Sequence, residues 1–184
     1  MRSLTLVTGN RHKIAELNAI LEGTVILRPV NLDLPEIQGT VEEITRAKCR
    51  LAADKIAGPV VVEDSALEMH ALNGLPGPYV KAFVDTVGND GLCQMIGAFE
   101  DKTAEAVCTI GYSPGPGAEP ILFQGRLRGL IVPARGISSF GWEPIFEHDG
   151  ETLAEMDVHK KNGLSHRFHA AHKLREWLRV NMSG

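Results

Sequence analysis

Ser3-Leu4-Thr5-Leu6-Val7-Thr8-Gly9-Asn10-Arg11-His12-Lys13 decides the fold class, because a short β-rich run breaks at Thr8-Gly9-Asn10 and a helical pattern begins at once. Ile14, Leu17 and Leu21 share one face of that helix, and Gly23 is its stop. Strand, tight turn and helix in that order open an α/β sheet. Val25 to Val30 reads as a second strand, and Val41 to Ile56 as a helix with Ile44, Ala47, Leu51 and Ala52 on its apolar side. Pro59-Val60-Val61-Val62 is an apolar strand of the kind buried on both faces, expected to end at Glu63-Asp64-Ser65.

Further along, Leu72 to Pro78 is too rich in Gly and Pro for regular structure and predicts an ordered loop, followed by helical patterns over Val80 to Val87 and Gly91 to Phe99. Thr103 to Tyr112 and Ile121 to Val132 alternate as strands around Ser113-Pro114-Gly115-Pro116-Gly117. That spacing predicts an antiparallel hairpin, a second lobe and a mixed sheet. Ser165 to Val180 reads as a closing helix with Phe168, Ala171, Leu174 and Leu178 as its buried stripe.

A chain of 184 residues is long enough for a sizeable core and is expected to form one domain, residues 1–184, in one or two lobes. A formal charge of -4 excludes a surface built to neutralise nucleic-acid phosphates, so any polyanionic ligand must meet a local cluster of cations. No apolar run approaches ~18 residues and no targeting segment is read, so no membrane association is expected. Cys49, Cys93 and Cys108 are widely spaced and never form a CxxC, which points to a reducing, cytoplasmic setting.

Four stretches carry candidate chemistry. At Thr8-Gly9-Asn10-Arg11-His12-Lys13 the strand-to-helix turn aims backbone N–H groups and a helix N-terminus at one spot, and Lys13 adds a cation; phosphate fits there, although an ordinary turn reads the same way. Glu36, Glu63 and Asp64 form an acidic set suited to a hard cation such as Mg²⁺, or else merely begin turns. Ser139-Phe140-Gly141-Trp142-Glu143-Pro144 brings aromatic rings beside an acid, which suits a purine base as well as it suits a core turn. Lys161-Asn162-Gly163-Leu164-Ser165-His166-Arg167 places donors at a helix start, for a carbonyl oxygen or for solvent. His159, His166, His169 and His172 match no specific metal signature and are read as solvated or core-edge residues.

Together with Val62-Glu63-Asp64-Ser65-Ala66-Leu67 and Gly74-Leu75-Pro76-Gly77-Pro78-Tyr79, these stretches resemble the inosine triphosphate pyrophosphatase family, also called the Ham1-like proteins, as six motifs in order from residue 8 to residue 167. Leu34-Pro35-Glu36-Ile37-Gln38-Gly39 and Phe99-Glu100-Asp101-Lys102 look closer to the eukaryotic branch. The resemblance implies an elongated α/β fold with a two-lobed mixed β-sheet, flanking helices, an active-site cleft between the lobes and assembly as a homodimer. It implies hydrolysis of ITP, dITP and XTP to the monophosphate and pyrophosphate with Mg²⁺, Mn²⁺ being an alternative.

The same resemblance assigns roles. Thr8, Gly9, Asn10, Arg11, His12, Lys13 and Ser65 would hold the phosphates, with Lys48 and Lys81 adding charge. Glu36 and Asp64 would bind the metal, and Asp64, Glu63 and Lys13 would be catalytic, one of the two acids activating a water. Phe140, Gly141, Trp142, Glu143, Lys161, His166 and Arg167 would form the base pocket, where Glu143 stands in place of the usual Asp. Two rivals remain: a Maf-like pyrophosphatase acting on other modified nucleotides, and a non-catalytic nucleotide-binding protein.

Overall fold

The computed structural model describes residues 3–137 and 140–181. The first half alternates strand and helix: β1 (Ser3–Val7), α1 (Arg11–Ile20), β2 (Ile26–Val30), α2 (Val41–Ile56) and β3 (Val60–Met69). A 3-10 turn (His70–Leu72), β4 (Pro76–Gly77), α3 (Val80–Met95), β5 (Thr103–Ser113) and β6 (Ile121–Ile131) follow. A second 3-10 turn (Glu143–Ile145), β7 (Phe146–His148), β8 (Glu151–Thr152), α4 (Val158–Leu164) and α5 (His166–Asn181) complete the described chain.

Among the described residues the strands form one sheet in the order β2-β1-β3-β5-β6-β7-β8, with β4 added to β3. β1 runs parallel to β2, from Ser3 opposite Ile26 to Val7 opposite Val30, and parallel to β3 at Thr5–Val60 and Leu6–Val61. The pairings of β3 with β4, β6 with β7 and β7 with β8 are antiparallel. The sheet is therefore mixed and the fold is α/β, as expected.

β3 departs from the sequence reading. It does not stop at Glu63-Asp64-Ser65 but continues to Met69. Two acids in succession read as a break because their partners, Lys13, Lys48 and Arg167, are remote in sequence. Beyond them Ala66, Leu67 and Met69 are fully buried, and β4 takes up the pairing at Leu67–Gly77 and Glu68–Pro76. Asp64 thus lies within a strand, but past the residues at which β1 pairs with it.

The chain divides into two compact units. The first comprises residues 1–64, 108–125 and 166–184, and its main core gathers Leu6, Leu17, Leu21, Ile110, Ala171 and Leu174. A smaller cluster of Val7, Cys49, Ala52, Val60 and Val62 seats α2. The second unit comprises residues 65–107 and 126–165, with Leu67, Leu92, Ile96, Trp142, Phe146 and Leu153 at its centre.

Local sequence explains the helix ends. Thr40 and Glu43 form a reciprocal capping box at α2, with bonds of 3.2 and 2.8 Å, and Ala57 ends the helix in a left-handed conformation. Gly111 of β5 lets α2 approach the sheet, since a Cβ there would lie 3.1–3.2 Å from Val62, Cys49 and Thr45. The two helical patterns predicted after the Gly/Pro loop appear as α3 with a break at Gly88 (φ 69°, ψ -178°). α4 was not anticipated, and the buried stripe of α5 begins with His166 and Arg167 rather than with Phe168, which is only partly buried. Among the described residues no helix is long and apolar enough to cross a membrane.

Candidate active site

In the first unit the turn after β1 is built by its own side chains. Thr8 Oγ1 accepts the Asn10 N–H at 3.1 Å, and Asn10 Oδ1 accepts the N–H groups of His12 and Lys13 at 3.0 and 3.2 Å. Asn10 is therefore the N-cap of α1 and holds its first turn. Arg11 and His12 are exposed there, and a Cβ at Gly9 would come within 2.8 Å of Asn31 Oδ1, so the Asn31 side chain would have to shift.

Lys13 does not point to solvent. Its Nζ lies 2.6 Å from Glu63 Oε2 and donates to the Glu63 carbonyl at 3.3 Å. On the other carboxylate oxygen, Arg167 Nη2 bonds at 3.2 Å and the Cys108 thiol donates at 3.1 Å. Arg167 Nη1 is bonded to Glu16, three residues beyond Lys13 on α1. Glu63 is 2 % exposed and Arg167 1 %, so these charges are tolerated only because they are paired. Burial disfavours the Glu63 charge, but Lys13 and then Arg167 overcome it and hold the carboxyl well below the usual range. A carboxylate held so low is a poor proton acceptor.

Asp64, the next residue on β3, sits in a different setting. Lys48 from α2 places its Nζ 2.7 Å from Asp64 Oδ1 and 3.1 Å from Glu36 Oε1. Burial would lower the Lys48 ammonium pKa, but Asp64 and Glu36 raise it above its ordinary value. Two carboxylates thus converge on one cation. Asp64 Oδ2 is buried and has no hydrogen-bond partner among the described residues. An ionised oxygen left in that state is costly unless a further cation or donor meets it. Among the described residues no group of three or more His, Cys, Asp or Glu side chains could hold a metal ion, so an ion here would keep several waters or phosphate oxygens, as Mg²⁺ does.

In the second unit, Gly141 turns the chain with φ 57° and Trp142 is buried against Phe146, with ring centroids 5.5 Å apart at 72°. Trp142 belongs to the core of that unit, and Phe140 is the half-buried ring of the segment. Lys161 Nζ lies 2.7 Å from Glu143 Oε1 and 5.9 Å from the Phe140 ring centre, and both ion-pair side chains are largely buried. α4 positions Lys161, with Asp157 capping it through the Lys160 N–H at 2.9 Å. Lys81 is exposed on α3 and paired with Asp85 at 2.7 Å, and Ser65 is half-buried on β3. Ser139 lies outside the described residues.

The structure gathers Lys13, Glu63 and Arg167 in one cluster and Glu36, Lys48 and Asp64 in another, and joins Phe140, Glu143 and Lys161 in a third. His166 is buried at the start of α5. Two participants were missed: Glu16 and Cys108. Glu16 lies off the apolar face read from Ile14, Leu17 and Leu21, and nothing local marked either residue.

The first unit thus sets a buried, charge-balanced network beside two acids that share a cation, on a mixed α/β sheet. The model of the Ham1 family matches residues 4–177, and the chain belongs to that family. It is 69% identical over 176 residues to a protein of Aspergillus oryzae named inosine triphosphate pyrophosphatase, covering 95% of this chain and 92% of that one. A protein of the same name from Emericella nidulans is 53% identical, with 97% of each chain covered. The structure of a HAM1 protein from Coxiella burnetii superposes with a TM-score of 0.87 at 27% identity, covering 98% of this chain and 100% of that chain. The named relatives are fungal, in keeping with the resemblance to the eukaryotic branch.

Proposed function

We propose that the chain hydrolyses non-standard purine nucleoside triphosphates, ITP, dITP and XTP, to the monophosphate and pyrophosphate, with Mg²⁺ as cofactor. The observation that carries this reading is the pair Glu36 and Asp64 converging on one cation, with Asp64 Oδ2 buried and without a hydrogen-bond partner among the described residues. The name shared by the fungal relatives supports the choice of substrate.

Glu36 and Asp64 would hold Mg²⁺, which supplies charge neutralisation of the phosphates when bound. Asp64 aligns a water and takes its proton, whereas Glu63, already committed to Lys13, Arg167 and Cys108, positions rather than deprotonates. The water oxygen bonds to the α-phosphorus as the bond from that phosphorus to the α,β-bridging oxygen breaks. Pyrophosphate leaves with the bridging oxygen. Lys13 and Lys48 offset the developing charge, and the turn at Thr8, Gly9, Asn10, Arg11 and His12 orients the phosphates. Phe140, Gly141 and Glu143 form the wall for the base, while Trp142, read from the sequence as part of it, packs in the core behind. Lys161 supplies a donor for the 6-oxo edge, where the 6-amino group of adenine offers a donor instead; His166 and Arg167, read from the sequence as the donors to that edge, are buried at the start of α5, and Arg167 is committed to Glu16 and Glu63. We further assign the protein to the cytoplasm, as a homodimer; three unpaired thiols fit a reducing compartment.

Pyrophosphate release from ITP, dITP, XTP, GTP, ATP, CTP and UTP, each with Mg²⁺ and with EDTA, tests the reading. Metal-dependent release confined to ITP, dITP and XTP is expected. A preference for CTP or UTP would move the chain to the Maf-like alternative, and no release from any of them would leave a binding protein.

A further inference from the structure

Val87-Gly88-Asn89-Asp90-Gly91 interrupts α3, and the interruption has a target. At φ 69° and ψ -178° Gly88 takes a conformation that side chains rarely adopt, so the helix restarts from Asn89 along a new line. Asn89 then donates through Nδ2 to the carbonyl oxygen of Gly141, 52 positions away, at 3.1 Å. A carbonyl only accepts, so this partner fixes which end of the amide faces it. Gly141 is itself left-handed, with φ 57°. Its carbonyl belongs to the peptide plane from which Trp142 projects, so holding that oxygen sets the direction in which the next side chains leave the backbone.

The rest of the turn depends on that direction. The Glu143 N–H closes it onto the Phe140 carbonyl at 3.3 Å, Trp142 packs edge-on against Phe146, and Glu143 takes the Lys161 ammonium at 2.7 Å. Asn89 Oδ1 is buried and has no hydrogen-bond partner among the described residues, a cost set against the bond made by Nδ2. A helix broken at a glycine, a half-buried amide whose oxygen is buried without a partner among the described residues and a left-handed glycine opposite make sense together as a clamp.

We infer that Asn89 is a positioning residue that holds the Phe140–Glu143 turn in its nucleotide-binding form. This rests on the proposed function, which assigns the purine base to that turn. Asn89→Asp is the informative variant. Asp has the same shape as Asn, but as a carboxylate it cannot donate to Gly141. Asn89→Ala is its companion. In both, KM for ITP should rise about three- to tenfold, the effect of losing one neutral hydrogen bond. Since the lost contact serves the base rather than the reacting phosphorus, kcat should stay within about twofold.

The second readout needs no substrate. Trp142 adjoins the clamped carbonyl, so its fluorescence emission should shift in both variants, while Trp177 is common to all three proteins and cancels in the difference spectrum. In an enzyme that hydrolyses ITP, an unchanged KM, or a fall in kcat with KM unaltered, overturns the role in binding. If the parent releases no pyrophosphate from any purine triphosphate, the proposed function fails and the emission alone judges the clamp; emission identical to the parent's overturns it.

Discussion

Arg167 Nη2 lies 3.2 Å from Glu63 Oε1, and both side chains are sealed from solvent although 104 positions separate them in the chain. Glu16 meets the same guanidinium from α1, and Lys13 meets the same carboxylate. Two acids and two bases thus balance in the interior of the first unit. The pairs cannot be removed singly without leaving a buried charge exposed to an apolar surround.

Arg167→Ala should therefore destabilise the fold by about 3–5 kcal/mol, lowering the melting temperature by roughly 6–20 °C. Arg167→Lys should recover little, because one ammonium cannot serve Glu16 and Glu63 with the planar fork they now share. Thermal melts of the two variants decide it, and a melting temperature for Arg167→Ala close to that of the parent would mean that the network adds no stability.

Asp64→Asn should reduce pyrophosphate release at saturating Mg²⁺ by ~10²–10⁴, the usual contribution of a positioned base. Glu36 is 66 % exposed and touches only the rim of the pair, so Glu36→Gln should mainly raise the Mg²⁺ concentration needed for half-maximal rate. Magnesium titrations of both variants separate the effects. Equal losses at saturating metal would show that the two acids share one role.

A Cβ at Gly125 of β6 would lie 2.1 Å from the His166 carbonyl oxygen and 2.3 Å from the Ala170 nitrogen. Neither is a flexible side-chain end, so α5 itself would have to move. Gly125→Ala should cost ~2 kcal/mol or more. By displacing His166 and Arg167 it should lower kcat/KM by about 10²-fold. Denaturant melts together with steady-state kinetics test both parts, and a fully active, fully stable variant would show that the contact is loose in solution.

Cys49 is pushed up to about 12 from 9.0 by burial, and Cys108 well above 9.0 by burial and then by Glu63. Both folded-state values are raised, so the native chain keeps protons that the unfolded chain releases. Their effect is absent at neutral pH and appears as pH rises above the unfolded value near 9.0, costing up to ~1.4 kcal/mol per pH unit for each thiol. Denaturant midpoints measured at neutral pH and one unit above the ordinary thiol value should diverge less in Cys49→Ala than in the parent. Identical divergence would remove Cys49 from the account.

The alternation of strand and helix through Ile56 was legible because each apolar face there is local and periodic, and the paired acids at Glu63 and Asp64 stood out because nothing nearby neutralises them. For the same reason the length of β3 was misread. Its continuation depends on β4 and on cations supplied by α1, α2 and α5, which local pattern does not contain. Arg167 reads in the sequence as a base-pocket residue, yet it is spent on an internal ion pair, since only the folded chain sets Glu16 and Glu63 against it. α4 was hidden by its own composition: Val158-His159-Lys160-Lys161-Asn162-Gly163-Leu164 buries no residue and leaves no apolar stripe to find.

The guanidinium that balances Glu16 and Glu63 also bears on the order in which the protein can be made. α1 and β3 leave the ribosome early, each carrying an acid destined for the interior, and no cation can answer both until residue 167 has been synthesised. A nascent chain interrupted before that point holds an incomplete charge set: Lys13 can meet Glu63, but the guanidinium that meets Glu16 is missing. Final burial of the site is thus deferred to the end of translation, and truncated products should be left open to proteases rather than persist as folded, inactive enzyme.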